Sequence, residues 1–329
     1  MAASEKKKIL ITGATGFVGT EFVGLLAKQN NYNLCLAARS LNKIPLNFPC
    51  QKISLTDING ETNWSNALNH CDVVIHTAAR VHVMSETATD PLYEFRKTNV
   101  EGTLNLARQA VQHGIKRFIF ISSIKVNGET TVDGRKFTAD DTPAPKDHYA
   151  ISKYEAEQGL LALAAKTGLE VVIIRPPLIY GPGVKGNLQR MIQWLQKGYP
   201  LPMGALTSNK RSFLSVVNLN NLILECITNP EAANQIFLAS DGAELSTVDL
   251  LKVLGDALDK KPRLLSIPQF ILKNVAALLG KKDIWQRLGG SLEIDLSKTY
   301  NLLGWKPVIS IEDGLKQTVN HPFKNHQAN

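Results

Sequence analysis

Cysteine is scarce in this 329-residue sequence, and its four residues form no pattern typical of a metal site or a disulfide framework. No C-x-x-C pair and no Cys/His cluster at metal-ligand spacing occurs. The scarcity argues against a disulfide-stabilised secreted domain and against a zinc site, so we expect no metal. A reducing cytoplasm is the expected location.

Long apolar runs are also lacking. The N-terminal part passes from three lysines into an apolar run at residues 9–11, which is far too short for a signal peptide or for the roughly 20 residues of a spanning helix. We therefore expect neither export nor a membrane span. Residues 270–282 have the apolar and basic pattern of a helix that touches a membrane surface, but we favour packing of this segment against the rest of the protein.

Dense basic runs are missing as well, although the net charge is +8 and the isoelectric point is near 9.2. Because the Lys and Arg residues are dispersed along the chain, we expect no binding to nucleic acid. An excess of positive charge also suits an anionic small molecule such as a nucleotide, since it concentrates favourable potential in a cleft.

Up to about residue 180, short β-branched runs alternate with longer segments of helical period, which is typical of βαβ units. Strands are predicted at residues 8–12, 33–38, 51–55, 73–77, 117–122 and 170–175, and helices near residues 16–28, 93–113 and 148–167. The pattern predicts an α/β fold in which residues 1–178 form a doubly wound parallel sheet of the Rossmann type.

After Pro176 the pattern changes to loops rich in Pro and Gly, with separate helices predicted near residues 188–197, 219–227 and 247–258. This change predicts a second, smaller lobe of residues 179–329. A strand-like run at residues 235–239 is expected to return to the main sheet, so the boundary is not a single cut.

A glycine-rich motif follows the first predicted strand and opens the first helix. Gly13 permits a tight turn, Gly16 lets the backbone approach a pyrophosphate, and Gly19 permits close packing of helix on sheet. The alternative is a plain turn, but the strand, turn and helix around the motif favour a dinucleotide site. The residues expected to hold the cofactor here are Gly13, Thr15, Gly16, Phe17, Val18 and Gly19.

The end of the second predicted strand lacks the Asp or Glu that usually holds the ribose hydroxyls of NAD. Arg39 stands there instead, followed by Ser40, and a guanidinium suits the 2′-phosphate of NADP. We therefore favour NADP over NAD. The alternative is that Arg39 is a solvated surface residue.

Tyr149 and Lys153 lie one turn apart at the start of a predicted helix, so their side chains share one face. A free tyrosine, whose pKa is about 10, is a poor acid or base at neutral pH, and a nearby ammonium together with a cationic nicotinamide would stabilise its phenolate. Ser122 and Ser123 end the fifth predicted strand, at the edge where α/β sheets bind ligands. Ser123 is expected to hydrogen-bond the same substrate oxygen as Tyr149.

Further motifs occur in a characteristic order. They are Thr12-Gly13-Ala14-Thr15-Gly16-Phe17-Val18-Gly19, His76-Thr77-Ala78-Ala79, Asn99-Val100-x-Gly102-Thr103, Ser122-Ser123, Tyr149-Ala150-x-Ser152-Lys153, Arg175-Pro176-Pro177 with Tyr180-Gly181-Pro182-Gly183, and Leu303-Gly304-Trp305-x-Pro307. Together they resemble the extended short-chain dehydrogenase/reductases of the nucleotide-sugar epimerase/dehydratase group, over nearly the whole chain.

This resemblance implies an NAD(P)-dependent enzyme that acts at C4 of a nucleoside-diphosphate sugar. Residues 183–187 and 287–298 are most similar to bacterial proteins that reduce UDP-4-keto-6-deoxy-N-acetylglucosamine to UDP-N-acetylquinovosamine for surface polysaccharide biosynthesis. UDP-glucose 4-epimerases are the first alternative, and a non-catalytic cofactor-sensing regulator on the same fold is the second. The absent acid at the second strand favours the reductase, because an epimerase holds NAD tightly.

The resemblance also implies roles for single residues. Tyr149 would exchange the proton at the sugar C4 oxygen, Lys153 would bind the nicotinamide ribose and tune Tyr149, and Ser123 would orient the C4 oxygen. Asn187 would meet the diphosphate of the nucleotide, and Arg211 would clamp it with a planar fork. The cofactor would also contact Ala78, Ala79, Tyr149 and Lys153. Asn99 would fix backbone near the active site rather than touch the substrate.

Several positions depart from the family pattern. Ser54 stands where an Asp usually contacts adenine, although Asp57 is nearby, and Asn127 replaces a usual Tyr. Leu178 stands where many relatives place an Asn, and Arg287 aligns only loosely with a second diphosphate arginine. The helices at residues 93–113 and 148–167 are expected to form a homodimer through four-helix packing.

Overall fold

The computed structural model describes residues 6–43, 48–81, 89–132, 134–280 and 282–321. Ten strands are assigned in these ranges: β1 Lys8–Thr12, β2 Asn33–Ala38, β3 Gln51–Ser54, β4 Val73–His76, β5 Arg117–Ile121, β6 Glu170–Arg175, β7 Leu178–Tyr180, β8 Arg211–Ser215, β9 Gln235–Leu238 and β10 Glu244–Leu245. A seven-stranded parallel sheet has the order β3-β2-β1-β4-β5-β6-β9, and a three-stranded sheet has the order β10-β8-β7. The doubly wound parallel sheet predicted from the sequence is confirmed.

Helices cover both faces of the large sheet. The helices of the described ranges are α1 Phe17–Gln29, α2 Ser65–Leu68, α3 Pro91–Arg96, α4 Thr103–Gln112, α5 His148–Thr167, α6 Asn187–Gln196, α7 Val216–Thr228, α8 Thr247–Ala257, α9 Gln269–Leu278, α10 Lys282–Gly289, α11 Ser297–Leu303 and α12 Ile311–Asn320. Apolar residues of α1 and α7 pack on one face, and those of α2, α4 and α5 pack on the other. Both faces are therefore dry, as a parallel sheet requires.

The central strands are apolar along their whole length. Phe118, Ile119 and Phe120 of β5 are fully buried, and so are residues 171–174 of β6. Burial on both faces explains why these strands do not alternate polar and apolar residues. Four predicted strands end one residue earlier than expected, and one of them is β5, so Ser122 and Ser123 lie just beyond β5 rather than at its end.

The helix predicted at residues 93–113 is not regular. It begins at Pro91 behind an Asp90 cap and contains a π-helical segment, Lys97–Gly102, between α3 and α4. Gly102 in this segment approaches the loop after β3 so closely that a Cβ would lie 2.7 Å from Ile58 Cγ2. Single π turns inside helices are frequent at functional sites, and this one places Asn99 beside α5.

The second half of the chain contributes to the large sheet. β9 pairs in parallel with β6, and α7 packs on the same sheet face as α1. The buried Asp241 carboxylate accepts hydrogen bonds from the Tyr180 hydroxyl, the Ser215 amide and the Asn218 side chain, which ties this half together. A division of the chain at residue 178 stays a prediction, because elements on both sides of it share one core.

Helix α9 packs against the second half of the chain by one side only, so the expected packing is partial. None of its residues is buried, whereas Phe270 is 65% exposed and Leu278 is 87% exposed. Lys281, which belongs to the same basic segment, lies outside the described residues. Within the described ranges, no helix has the length and apolar character needed to cross a bilayer.

Candidate active site

The glycine motif lies at the carboxyl ends of β1 and β4, and its glycines are required by close approach. Gly13 has φ +69°, and a Cβ on it would lie 2.8 Å from the Ala78 amide nitrogen. A Cβ on Gly19 would lie 2.2 Å from the Gly13 carbonyl oxygen. Any side chain at these positions would push apart the glycine loop, α1 and the loop after β4.

The start of α1 suits an anion. Gly16 is its N-cap and no side chain caps the helix, so the first amides of α1, which begin at Phe17 and Val18, keep their donor capacity. Helix N-termini with free amides bind phosphate, and the space left by the glycines lets a diphosphate approach. Ala78 and Ala79 are half-buried beside this loop, as is Thr15. These residues fit a dinucleotide.

Arg39 follows β2 directly and is exposed, at the same sheet edge as the glycine loop, because Ala37 pairs with Thr12. A 2′-phosphate on the adenosine ribose would reach a guanidinium there. Asp57, the nearby acid, accepts a hydrogen bond from the Ile58 amide at 2.8 Å and so helps to shape its own loop. Ser54 pairs with Ala38 at the end of β3.

Tyr149 and Lys153 lie on the first turns of α5. The Asp147 carboxylate caps this helix by accepting a hydrogen bond from the Ala150 amide at 2.7 Å. The Tyr149 ring lies edge-on to Phe95 of α3, with ring centroids 6.2 Å apart. Lys153 is almost fully buried, and its Nζ lies 4.1 Å from the centre of the Phe120 ring. Aromatic rings from α3 and β5 thus lie beside the two side chains, Phe95 beside Tyr149 and Phe120 beside Lys153.

Burial sets the acidity of both groups. It lowers the pKa of Lys153 to about 7, against a smaller opposing effect of Glu157. Burial also raises the pKa of Tyr149 above its ordinary value, and the negative charge of Asp147 adds to this. Tyr149 is therefore a neutral phenol at neutral pH in this structure, and the stabilised phenolate expected from the sequence stays a prediction.

A buried histidine lies beneath the pair. The two ring nitrogens of His76 bond to Thr12 Oγ1 at 2.7 Å and to Thr103 Oγ1 at 2.9 Å, and the ring stacks on Phe120. Burial, with the nearby Lys153 charge, lowers the pKa of His76 to about 3, so the ring is neutral. His76 connects β1, β4 and α4 below the catalytic groups.

Ser123 begins a short 3₁₀ turn, Ile124–Val126, beyond β5. Its Oγ accepts a hydrogen bond from the Lys125 amide at 3.2 Å, which leaves the hydroxyl hydrogen to donate toward a ligand. The neighbouring Ser122 hydroxyl donates to the buried Glu157 carboxylate. Glu157 also pairs with Arg175 at 2.6 Å, so β5, β6 and α5 are joined just behind Ser123.

Asn99 has the role that the resemblance implied. Its side chain accepts from the Arg80 amide at 2.8 Å, donates to the Arg80 carbonyl at 3.0 Å and donates to Ser152 Oγ at 2.9 Å. It therefore fixes the backbone after β4 against α5, between Tyr149 and Lys153, which confirms that expectation.

The second lobe supplies two arginines beside the catalytic helix. Arg211, at the start of β8, donates to the Gly290 carbonyl at 2.9 Å. Burial, with the like charge of Arg287, lowers the pKa of Arg211 to about 10. The positive charge of Arg287 also helps to lower the pKa of Asp147, the carboxylate whose charge raises the pKa of Tyr149. The loosely aligned Arg287 is thus brought to Arg211, where the pair can receive a diphosphate.

Asn187 is the first residue of α6 and is exposed, so its amide is available to a ligand. Strands β7 and β8 are parallel neighbours. Asn187 comes after the carboxyl end of β7, whereas Arg211 lies at the amino end of β8, so the two residues belong to opposite ends of this strand pair. Leu178 begins β7 and is half exposed. Asn127, at the position of the usual Tyr, accepts a hydrogen bond from Arg175 at 3.0 Å.

Four contributors were not singled out from the sequence: Thr103, Lys125, Asp147 and Glu157. Lys125 pairs with both Asp147 and Glu129, and so connects the catalytic helix to the loop near Arg211. Glu157 stands four residues after Lys153, and this helical spacing is a signal that was available in the sequence. The other three depend on contacts between distant segments.

The fold and the site together define a dinucleotide-binding α/β protein with a Ser, Tyr and Lys centre at the sheet edge. A family model described as the NAD dependent epimerase/dehydratase family matches residues 9–239. The chain belongs to this family, which is part of the extended short-chain dehydrogenase/reductases. The match places the protein among enzymes rather than cofactor-sensing regulators.

Individual relatives agree with the family. A UDP-glucose 4-epimerase of Vibrio cholerae is 48% identical over 314 residues, which cover 95% of this chain and 94% of the relative. A UDP-glucuronic acid 4-epimerase of Bacillus cereus, solved with NAD, has a TM-score of 0.78 at 21% identity, covering 95% of this chain and 96% of that one. A UDP-glucose 4-epimerase of Thermotoga maritima, solved with UDP-glucose, has a TM-score of 0.76 at 24% identity, covering 95% and 98%.

Proposed function

We propose that this enzyme is a 4-epimerase of a UDP-hexose, with UDP-glucose or UDP-N-acetylglucosamine as substrate. The observation that carries the proposal is the 48% identity to the Vibrio cholerae epimerase, which extends over nearly the whole of both chains. Similarity of this extent includes both the sheet edge around Tyr149 and the arginines of the second lobe. It therefore favours the alternative that the sequence ranked below the reductase.

The proposed chemistry takes place at the C4 oxygen of the sugar. The glycine loop at Gly13, Gly16 and Gly19 would hold a nicotinamide cofactor, which would supply the hydride acceptor and donor that a reversible oxidation at C4 requires. Tyr149 takes the proton from the C4 oxygen during oxidation and returns it during reduction. Ser123 donates a hydrogen bond to the same oxygen, which stabilises the negative charge that develops there.

Lys153 makes the tyrosine usable as a base. Because its pKa is about 7, both its charged and its neutral forms are present near neutral pH. Ionisation of Tyr149 favours the charged form, since opposite charges in a buried site stabilise each other. A charged Lys153 would therefore lower the free-energy cost of ionising the buried Tyr149.

The proposed substrate is held by its diphosphate. Arg211 and Arg287 offer positive charge at the end of the cleft beside Asp147, and Asn187 offers an uncharged amide. Two neighbouring guanidinium groups repel each other in the protein alone, and an anion between them relieves the repulsion. The arginines thus select a nucleoside diphosphate over a free sugar.

A second candidate is the NADPH-dependent reduction of UDP-4-keto-6-deoxy-N-acetylglucosamine. The observation that favours it is Arg39, an exposed cation at the end of β2 where an acid would hold NAD. This candidate uses NADP, whereas the Bacillus cereus neighbour was solved with NAD. The same Ser123, Tyr149 and Lys153 would act at C4 in this reaction.

One pair of assays separates the two candidates. The purified protein is incubated with UDP-glucose or UDP-N-acetylglucosamine and the C4 epimer is measured by chromatography, without added reduced cofactor. In parallel, the near-ultraviolet absorbance of NADPH is followed with the 4-keto sugar. Catalytic formation of epimer supports the epimerase. Stoichiometric loss of NADPH without epimer, abolished in Tyr149→Phe, would replace it with the reductase.

We also propose a homodimer and a cytoplasmic location. Helices α3 to α5 pack side by side, and Tyr93 on α3 is 56% exposed, so a second copy can continue this layer. All four cysteines, in the described ranges, are free thiols, which suits a reducing compartment. Sedimentation velocity of the purified protein measures the oligomeric state directly.

A further inference from the structure

Helix α9 carries an apolar face that the protein does not cover. Phe270, Ile271, Val275 and Leu278 lie on one side of the helix and are all exposed. Leu279, immediately after the helix, is also 64% exposed. Contiguous exposed apolar residues of this kind mark an interaction site in a folded protein.

The opposite side of the helix is already occupied. Leu272 and Ala276, four residues apart, are half-buried, and the Gln269 side chain donates to the Ala205 carbonyl at 2.9 Å. These contacts attach α9 to the lobe by its inner side. The apolar outer side is therefore not a core face that a small shift could bury against the same lobe.

The segment around α9 is strongly basic. Residues 260–282 include six Lys or Arg and no Asp or Glu, so this short segment accounts for six of the eight net positive charges of the chain. The individual lysines look dispersed along the sequence, and the imbalance comes from the missing acids. Lys273 lies on α9 itself and is exposed, and Lys261 and Arg263 precede the helix and are also exposed.

An apolar outer face with flanking cations is the pattern of a helix that lies in the interface of an anionic bilayer. We propose that α9 binds the surface of a membrane that contains anionic lipids, with Phe270 and Leu278 inserted among the acyl chains and Lys273 beside the headgroups. A second copy of this chain is a poorer occupant, because residues 260–282 carry six cations and no acid, and two copies of such a segment repel each other. Nucleic acid offers negative charge but no apolar layer for Phe270 and Leu278.

Membrane binding would place the substrate cleft beside the bilayer. Helices α9 and α10 are consecutive, and the turn after α10 holds Gly290, whose carbonyl accepts the hydrogen bond from Arg211. The surface proposed for lipid and Arg287 thus belong to one continuous segment, and Arg211 of β8 is hydrogen-bonded to the end of that segment. The lipid proposal does not depend on which sugar reaction the enzyme performs.

Vesicle sedimentation with the full-length protein tests the proposal. The vesicles contain equal parts of phosphatidylglycerol and phosphatidylcholine, and vesicles of phosphatidylcholine alone serve as the uncharged control. The wild-type protein is expected in the pellet with the anionic vesicles, and at least about tenfold less with the neutral ones. High salt should release it. Failure of the wild-type protein to bind anionic vesicles overturns the proposal.

Matched variants identify the surface. The double variant Phe270→Ser with Leu278→Ser is expected to lower the partition coefficient about tenfold or more, while Val308→Ser, which alters a 54% exposed residue elsewhere, leaves it unchanged. Lys273→Glu is expected to lower binding, and Lys116→Glu, on another surface, much less. Equal binding of the double variant and the wild type contradicts the assignment to α9.

Two further measurements exclude other occupants. Turnover of the UDP-sugar without vesicles should be the same in the double variant and the wild type. A changed KM would mean that α9 closes on the substrate site, and a changed sedimentation coefficient would mean that it contacts a second copy. Either result overturns the proposal, and neither depends on whether the enzyme proves to be an epimerase or a reductase.

Discussion

The catalytic edge of the large sheet and the segment around α9 place polar and apolar side chains in opposite ways. At the sheet edge, Glu157 and Arg175 are buried and bonded to each other, and His76 is buried between two threonines. Around α9, Phe270 and Leu278 are exposed, and Lys261, Arg263 and Lys273 are exposed as well. Catalysis needs side chains held in one geometry, which buried bonds provide, whereas binding to a partner needs side chains that are accessible.

The largest effect on turnover is expected from a substitution at the sheet edge, where the side chains are held in one geometry. Tyr149→Phe removes the hydroxyl that moves the proton at the C4 oxygen, so kcat is expected to fall by about a thousandfold. UDP affinity should be nearly unchanged, because the diphosphate contacts come from the second lobe. Steady-state kinetics together with UDP titration measure both quantities. An equal loss of turnover and of UDP affinity would contradict the catalytic role.

The second effect is on stability. Glu157→Ala leaves the Arg175 guanidinium buried without its partner, and we expect the free energy of unfolding to fall by about 3 kcal/mol. Glu155→Ala is the matched control, because Glu155 lies two residues earlier on the same helix and pairs with Arg96 in solvent. The free energy of unfolding should fall far less in Glu155→Ala than in Glu157→Ala. Urea unfolding of both variants tests the difference, and similar losses would refute it.

Two glycines on α1 provide a third test. Gly19→Ala places a methyl group against the Gly13 carbonyl, and should cost about 2 kcal/mol and weaken cofactor binding. Gly24, on the same helix, has no atom within 4 Å of its added Cβ. Gly24→Ala should therefore stabilise the protein by about 0.5 kcal/mol, since Ala is the better helix former. Thermal unfolding with and without NAD distinguishes the two sites.

The fourth prediction concerns pH. The pKa of His76 is lowered from 6.5 to about 3 in the folded protein, so the unfolded chain binds more protons between these values. The contribution of His76 to stability is therefore lost as the pH falls through this window, by about 1.4 kcal/mol per pH unit. His76→Gln lacks this titration. As the pH falls from 6.5 towards 3, the free energy of unfolding of His76→Gln should fall less steeply than that of the wild type. Parallel plots of this free energy against pH would disprove the assignment.

The smallest effect is expected in the second lobe. Arg211→Met removes one guanidinium from the proposed diphosphate site, and KM for the UDP-sugar should rise about tenfold with little change in kcat. Stability should not fall, because burial and Arg287 already disfavour the charge of Arg211. Arg263→Met, which alters an exposed arginine, is the control. A fall in kcat without a change in KM would indicate that Arg211 acts in the catalytic step rather than in substrate binding.

Much of the fold was predictable because it is local. The strands at residues 8–12, 33–38 and 170–175 and the helix at residues 148–167 occur with the predicted bounds, since runs of apolar residues and helical periods are properties of short segments. The π-helical segment Lys97–Gly102 was missed because its cause is a set of contacts from Asn99 and Gly102 to other parts of the chain.

In the candidate site too, features within one short segment were predictable, and features that depend on contacts between distant segments were not. The glycine motif and the spacing of Tyr149 and Lys153 are visible in sequence because each lies within one turn or loop. The pairing of Ser122 with Glu157, and of Glu157 with Arg175, joins segments that only the strand order brings together. The expectation for α9 held for its inner side only, because an apolar helical face indicates that something covers it, without indicating what.

The sequence by itself determined the parallel sheet, the dinucleotide loop and the Tyr149 and Lys153 pair, because these depend on spacing along the chain. The tertiary structure decided that His76 is a neutral support, that Lys153 has a pKa near neutrality, and that the outer face of α9 stays in solvent. Burial and the partners of each group decide these properties, and both arise only when distant segments pack together.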